Sequence, residues 1–280
     1  MQWFEFLKAF LIGIVQGITE WLPVSSTGHM ILLNSLLKTN VSEAFWEMFL
    51  VVIQLGSILA VLVLFWHRLN PFSPKKSSEE KRATWSLWWH VIVAILPSGV
   101  VGILLDNWFE AHLHNALTVS IALIVYGVVF LFLERLPKRK SRMVESTGAI
   151  TYRQAFLIGA FQMLSLIPGT SRSGSTILGA MLLGLSRTAA AEFSFFMAVP
   201  TMLGASGIKI LKFALDHESA VTQSEWLILA IGCLTAFLVS LAAIRYLMDY
   251  VKHHSFAAFG VYRIVLGIVV IGAALAGLIA

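Results

Sequence analysis

The chain reads as an all-α polytopic membrane protein, an inverted-topology repeat with six transmembrane helices and two re-entrant helical hairpins. Three observations predict this. Of its 280 residues, 58% are hydrophobic and only 12% charged, with a mean hydropathy of +0.82; a water-soluble domain carries about 25% charged residues. Charge-free runs of membrane length recur along it. Two distant segments also look like copies of one unit: Phe10–His29, FLIGIVQGITEWLPVSSTGH, and Phe156–Ser175, FLIGAFQMLSLIPGTSRSGS. Without gaps, Phe10, Leu11, Ile12, Gly13, Gln16, Ser25 and Gly28 match Phe156, Leu157, Ile158, Gly159, Gln162, Ser171 and Gly174, while Pro23 is displaced by one position from Pro168. Such a repeat in a hydrophobic chain predicts a two-fold membrane architecture with its site where the copies meet.

Taken in order, the first copy forms a hairpin over about 6–40. The runs Phe49–Trp66, Leu87–Leu105 and Ala116–Leu133 follow it. The second hairpin covers about 152–188, ahead of the runs Phe193–Ile210, Trp226–Ile244 and Ile264–Ala280. Each run is near the ~20 residues that a helix needs to cross the hydrocarbon. The Phe193 run is the weakest, because Pro200 and Gly204 interrupt it. One integral membrane domain, 1–280, is expected, with repeat one about 1–135 and repeat two about 150–280.

The net charge of +5 does not indicate nucleic acid, because the basic residues alternate between connections. His67–Ser86 holds Arg68, Lys75, Lys76, Lys81 and Arg82; Arg135–Arg153 holds Arg135, Lys138, Arg139, Lys140, Arg142 and Arg153; Arg245 and Lys252 follow the Trp226 run. Asp106–Asn115 and Asp216–Glu225 contain neither lysine nor arginine. The basic connections are therefore assigned to the cytoplasm, where they also suit an anionic lipid surface. With those loops inside, each repeat copy must begin and end on one face. The first dips in from outside and the second from inside, leaving both termini outside. The N-terminus lacks a cleavable signal pattern. Cys233 reads as a small buried residue. His112, His114, His253 and His254 read as surface loop residues, and Trp3, Trp46, Trp66, Trp85, Trp88, Trp89, Trp108 and Trp226 as interfacial anchors.

The hairpins carry the chemistry. Leu22–Gly28 (LPVSSTG) breaks any helix, and backbone of that kind at membrane depth must be buried or line a watery cavity. Ser25, Ser26 and Thr27 there suit a polar ligand, a helix N-cap, or both. In the second break, Gly169, Ser171, Arg172, Ser173, Gly174 and Thr176 read as a phosphate cradle around one arginine fork. The competing reading of Arg172 is an ion pair with Glu20 that joins the repeats. Gln16 and Glu20 share a helix face and could hold a hard cation, Mg²⁺ or Ca²⁺, with phosphate oxygens and water. Glu20 could instead act as a general base. His29, three residues after Ser26, could activate that hydroxyl. Glu47 and Glu192 occupy nearly equivalent positions and are expected to meet hairpin backbone. Gln54, Gly56 and Ser57 are expected to pack against the first hairpin.

Gln16-x-x-x-Glu20 followed by PVSSTGH, with PGTSRSGST, EMFLVVIQLGS from Glu47, TYRQAF from Thr151 and EFSFFMAVP from Glu192, resembles the bacitracin-resistance family of undecaprenyl-diphosphate phosphatases over nearly the whole chain. The resemblance implies removal of the terminal phosphate of undecaprenyl diphosphate, which regenerates the lipid carrier for peptidoglycan synthesis and confers bacitracin tolerance. It implies a multi-pass protein of the bacterial plasma (inner) membrane with its site facing the outer side. That family accepts glutamate or glutamine at the position of Gln16, so Glu20 is the single carboxylate of the motif here. On this basis Arg172, Ser171, Ser173 and Thr176, with Ser25, Thr27, Gly169 and Gly174, bind the diphosphate. Glu20 and Gln16 hold the divalent cation. Ser26 attacks with help from His29, or water attacks directly. The alternative function is a transporter or flippase for a phosphorylated lipid carrier, since broken helices in inverted repeats also serve transport. A homodimer is left open by the sequence.

Overall fold

In hydrocarbon a backbone must satisfy its own polar groups, and the helix does so within one segment. The computed structural model describes residues 2–37, 39–136, 143–216 and 221–279, so Lys138, Arg139, Lys140 and Arg142 of the basic connection lie outside the described residues. The helices are α1 (Gln2–Thr19), α2 (Ser26–Leu37), α3 (Glu43–Leu64), α4 (Trp66–Leu69), α5 (Ser78–Leu113), α6 (Ala116–Arg135), α7 (Tyr152–Met163), α8 (Arg172–Leu182), α9 (Arg187–Asp216), α10 (Gln223–His253) and α11 (Ala257–Leu275). Six of them, α3, α5, α6, α9, α10 and α11, are long and apolar enough to cross a membrane. Among the described residues there is no β-strand, only a bridge between Val144 and Leu185.

Local sequence sets the helix starts. Ser77 and Glu80, Thr151 and Gln154, and Thr222 and Glu225 form reciprocal capping boxes at α5, α7 and α10, each satisfying two otherwise orphaned N–H groups. The Ser77 cap starts α5 inside the predicted basic loop, so part of His67–Ser86 is helical rather than loop. His112 and His253 likewise lie in the last turns of α5 and α10. Their exposed positions stand, their loop assignment does not. Trp88, half-buried like Trp46, donates from Nε1 to the Leu69 carbonyl at 2.8 Å.

Pro200 does not interrupt α9, which runs through it. A proline removes one N–H, and the next turn is tied by Thr201, whose hydroxyl donates to the Met197 carbonyl at 2.8 Å. α5 uses the same device at Pro97, where Ser98 donates to the Ile95 carbonyl at 3.1 Å. Gln162 bridges both places, donating to Ser98 Oγ at 2.6 Å and to Thr201 Oγ1 at 3.4 Å.

Packing between the halves is exchanged. The first hairpin helix, α1, packs on α10, and the second, α7, packs on α5; α2 touches α11 and α8 touches α6. The matched glycines explain both approaches. A Cβ on Gly13 would lie 2.7 Å from Thr235 Cβ and 2.8 Å from the Gly232 carbonyl oxygen, and a Cβ on Gly159 would collide with the Ala94 carbonyl. α3 and α9 pack together with an ion pair at each end: Glu47 with Lys209 at 2.9 Å, and Glu192 with Arg68. These carboxylates therefore meet cationic side chains, not hairpin backbone: Glu47 faces the far part of α9, and Glu192 faces α4, which follows α3. Gly56 also departs from expectation. It abuts the Cys233 backbone of α10 rather than the first hairpin, while Gln54 donates back to the Leu50 carbonyl.

Candidate active site

Two helix breaks meet in the middle of this bundle. α1 ends at Thr19 and α2 begins at Ser26; α7 gives way to a short 3-10 turn, Leu164–Leu166, before Pro168, and α8 begins at Arg172. Each break turns on a serine at positive φ, Ser25 at 72° and Ser171 at 71°. These are the matched positions of the two sequence copies. Such a conformation costs a non-glycine residue about 1–3 kcal/mol and persists where surroundings enforce it. Gly169, at φ 90°, completes the second turn.

Arg172 crosses from the second hairpin to the first. Its Nη2 lies 3.2 Å from Glu20 Oε1, and its Nη1 donates to the Ser194 carbonyl at 2.9 Å. Glu20 is buried, and its other oxygen, Oε2, accepts from Gln16 Nε2 at 2.8 Å and from Ser26 Oγ at 3.4 Å. Gln16, Glu20, Ser26 and Arg172 are thus one connected polar group at the hairpin junction. The Arg172 guanidinium also stands over the Trp21 ring, 5.6 Å from its centroid, and Trp21 is fully buried.

His29 is placed apart from Ser26. Its Nδ1 is 2.7 Å from the Ser25 carbonyl oxygen and its Nε2 is 2.7 Å from the Tyr262 hydroxyl, with the two rings stacked. A carbonyl only accepts, so Nδ1 carries the proton, and in the neutral ring Nε2 is the acceptor. One helical turn separates His29 from Ser26 in sequence, but the imidazole swings toward α11.

The remaining hydroxyls divide into two groups. Ser173 and Thr176 are buried: Ser173 donates to the carbonyls of Glu20 and Leu22 at 3.1 and 3.3 Å, and Thr176 donates to the Arg172 carbonyl and shares a 2.6 Å contact with Ser194. They bind one hairpin to the other and to α9. Ser26, Thr27 and Ser171 are half-buried. Ser171 Oγ caps α8 through the Gly174 N–H at 3.2 Å. Ser25 Oγ is fully buried with no hydrogen-bond partner.

For a divalent cation the donor set is sparse but of the right type. Glu20 supplies a carboxylate, Ser26 a hydroxyl and Gln16 an amide, all oxygen donors of the kind hard cations take. Among the described residues there is no group of three or more His, Cys, Asp or Glu side chains that could enclose a metal. Gln16 faces Glu20 with its nitrogen, so ligation by its oxygen requires the amide to turn over.

Four contributors escaped the sequence reading: Trp21, Ser194, Tyr262 and Arg263. Arg263 left a signal, a charge inside the apolar stretch Ala257–Leu275. Trp21 neighbours Glu20, which hints at its place. Ser194 and Tyr262 gave none, since each is reached from a distant segment.

Comparison with known proteins identifies the family. The chain is 54% identical to the undecaprenyl-diphosphatase of Enterococcus faecalis over 273 residues, covering 97% of this chain and 98% of that one. The undecaprenyl-diphosphatase of Limosilactobacillus fermentum is 54% identical over 267 residues, 95% of this chain and 96% of that one. The one from Streptococcus pyogenes is 53% identical over 263 residues, 94% of each chain. The sequence profile of the bacitracin resistance protein BacA matches residues 9–269. With residues 9–269 of 280 inside that match, the chain belongs to the BacA family of bacitracin resistance proteins.

Proposed function

We propose that this protein hydrolyses undecaprenyl diphosphate to undecaprenyl phosphate and inorganic phosphate in the bacterial plasma membrane, with its site open to the outer side. The observation that carries the reading is the junction of Arg172, Glu20 and Ser26, contributed by two hairpins. A long apolar tail needs a path through the bundle, and a compact anionic head needs donors at membrane depth. The halves, about 1–135 and 150–280, meet as inverted repeats and supply both.

In this reading Arg172 and Ser171 bind the diphosphate, with Ser26 and Thr27 opposite them. Ser173 and Thr176 keep the two hairpins in register. Ser26 Oγ attacks the terminal phosphorus and passes its proton to Glu20 Oε2, the oxygen it already faces. The bridging P–O bond breaks and its oxygen leaves with the lipid phosphate. Water then attacks the phosphoserine phosphorus and passes its proton to neutral His29 Nε2. The P–Oγ bond breaks, Glu20 returns its proton to Ser26 Oγ, and inorganic phosphate leaves. Arg172 stabilises charge on the transferred group. Glu20 and Gln16 would hold a Mg²⁺ or Ca²⁺ ion, which, when bound, lowers the charge on the diphosphate oxygens. Transport of a lipid carrier gives no task to the Ser26–Glu20 contact, so hydrolysis is the reading preferred. Phosphate release from undecaprenyl diphosphate by the purified protein in detergent tests it. Absence of release with divalent cation supplied would refute it.

A further inference from the structure

We propose that Arg263 is a positioning residue for this phosphoryl transfer, drawing the carbonyls of both helix breaks to one side of the site. The inference rests on the hydrolase reading for its purpose, and on geometry alone for its latch. Arg263 sits in α11 and is fully buried, yet it has no ion-pair partner among the described residues. A buried guanidinium at membrane depth is costly unless its donors are met. Both terminal nitrogens are met by backbone, while the buried Nε has no partner. Nη1 donates to the Pro23 carbonyl at 3.2 Å, and Nη2 donates to the Gly169 and Thr170 carbonyls at 3.0 and 2.9 Å. The face of the guanidinium lies over the Tyr126 ring, 5.3 Å from its centroid.

Those three carbonyls come from different hairpins, and each stands one or two residues before a positive-φ serine. One side chain therefore ties together the two turns that present Ser26 and Arg172. The consequence for an anionic ligand is electrostatic. A carbonyl aimed at a diphosphate repels it, and these three are aimed at a cation instead. Across a trans planar peptide the N–H points opposite to the C=O, so the Thr170 carbonyl's turn toward Arg263 sends the Ser171 N–H the other way. Gly174 accounts for the close passage of the guanidinium, since a Cβ there would lie 2.9 Å from Arg263 Nη1. Only a planar fork spans both hairpins; an ammonium is a point donor.

The test is Arg263→Lys in the full-length protein in detergent micelles. Three quantities are read: phosphate release from undecaprenyl diphosphate, the thermal midpoint, and hydrogen–deuterium exchange of peptides covering Leu22–Gly28 and Pro168–Gly174. A merely structural cation would be served by lysine, which keeps the charge and a donor. A latch would not. The expected result is a folded variant with kcat/KM reduced about 10- to 100-fold, the cost of misplacing reacting groups by about an ångström, and faster exchange in both peptides. Wild-type kcat/KM, or faster exchange confined to one break, overturns the proposal. Should the lysine variant fail to fold, Gly174→Ala keeps Arg263 and crowds its guanidinium most closely, at 2.9 Å against 3.3 Å for Ser171 Cβ, with the same two-peptide signature expected. If the wild-type protein releases no phosphate, the hydrolase reading falls, while the exchange measurement still decides on the latch.

Discussion

Arg172→Lys keeps the charge of the second hairpin and removes its fork. In the structure the two terminal nitrogens act in two directions, Nη1 on the Ser194 carbonyl at 2.9 Å and Nη2 on Glu20 Oε1 at 3.2 Å. A lysine ammonium is one point, so it can hold Glu20 or the α9 carbonyl but not both. One charge-assisted hydrogen bond is then lost, about 1.5–3 kcal/mol. If the fork also faces developing charge on the phosphoryl group, loss of one such donor lowers kcat about 10²–10³-fold. The expected effect is a fall in kcat/KM of about 100-fold, measured by phosphate release in detergent beside a thermal melt of the same preparation. The alternative role makes the opposite forecast. Were Arg172 only the ion-pair partner of Glu20, lysine would keep the pair, and activity would follow the folded fraction. A folded Arg172→Lys protein within about threefold of wild type, about 0.65 kcal/mol at RT ≈ 0.59 kcal/mol, would refute the assignment.

Excess chelator should abolish phosphate release, and Glu20→Gln should lower it about 100-fold or more, checked by titrating Mg²⁺ and Ca²⁺ back into both proteins; full activity in chelator would remove the cation from the mechanism. Ser26→Ala should be nearly inactive, and wild-type enzyme quenched in acid during turnover should carry phosphate on Ser26 by mass spectrometry; substantial turnover in the variant would move the attack to water. In a Cys233→Ala background, a cysteine at Gln223 should react with an impermeant outside reagent and one at Glu145 should not. The reverse pattern would turn the topology over. Gly159→Ala should cost stability by a few kcal/mol, about the 1–3 kcal/mol of overpacking or more, because its Cβ meets the Ala94 carbonyl; an unchanged melt would contradict the exchanged packing.

The parts of this fold that were legible in the sequence are those set by composition and spacing. The apolar runs became long helices, and the prolines and hydroxyls of the two copies became helix breaks. The matched serines even share their unusual φ. Long-range direction was not legible. Ser26 and His29 are a turn apart in sequence, yet His29 faces Tyr262 because that hydroxyl arrives from α11. Glu47 and Glu192 looked like partners of nearby backbone, and instead reach across the α3–α9 pair. Pro200 looked like an interruption because a proline's local cost is readable, whereas the support around it is not. Arg263 was passed over for a related reason: a lone charge bordering an apolar run says nothing of the carbonyls it will meet.

The exchange of hairpins between halves imposes an order on biosynthesis. α7 finds α5 already made when it emerges. α1 has no such partner until Gln223–His253 has been translated, since its glycine face is shaped for α10. At about 5–20 residues per second, the first hairpin must wait on the order of ten seconds or more in the insertion machinery or at the bilayer edge. For the first part of that interval, until α8 is made, Gln16 and Glu20 lack Arg172 as well. A ribosome stalled before Gln223 would leave a carboxylate and an amide on an undocked helix, the kind of exposed polar face that membrane proteases and chaperones can distinguish from a finished protein.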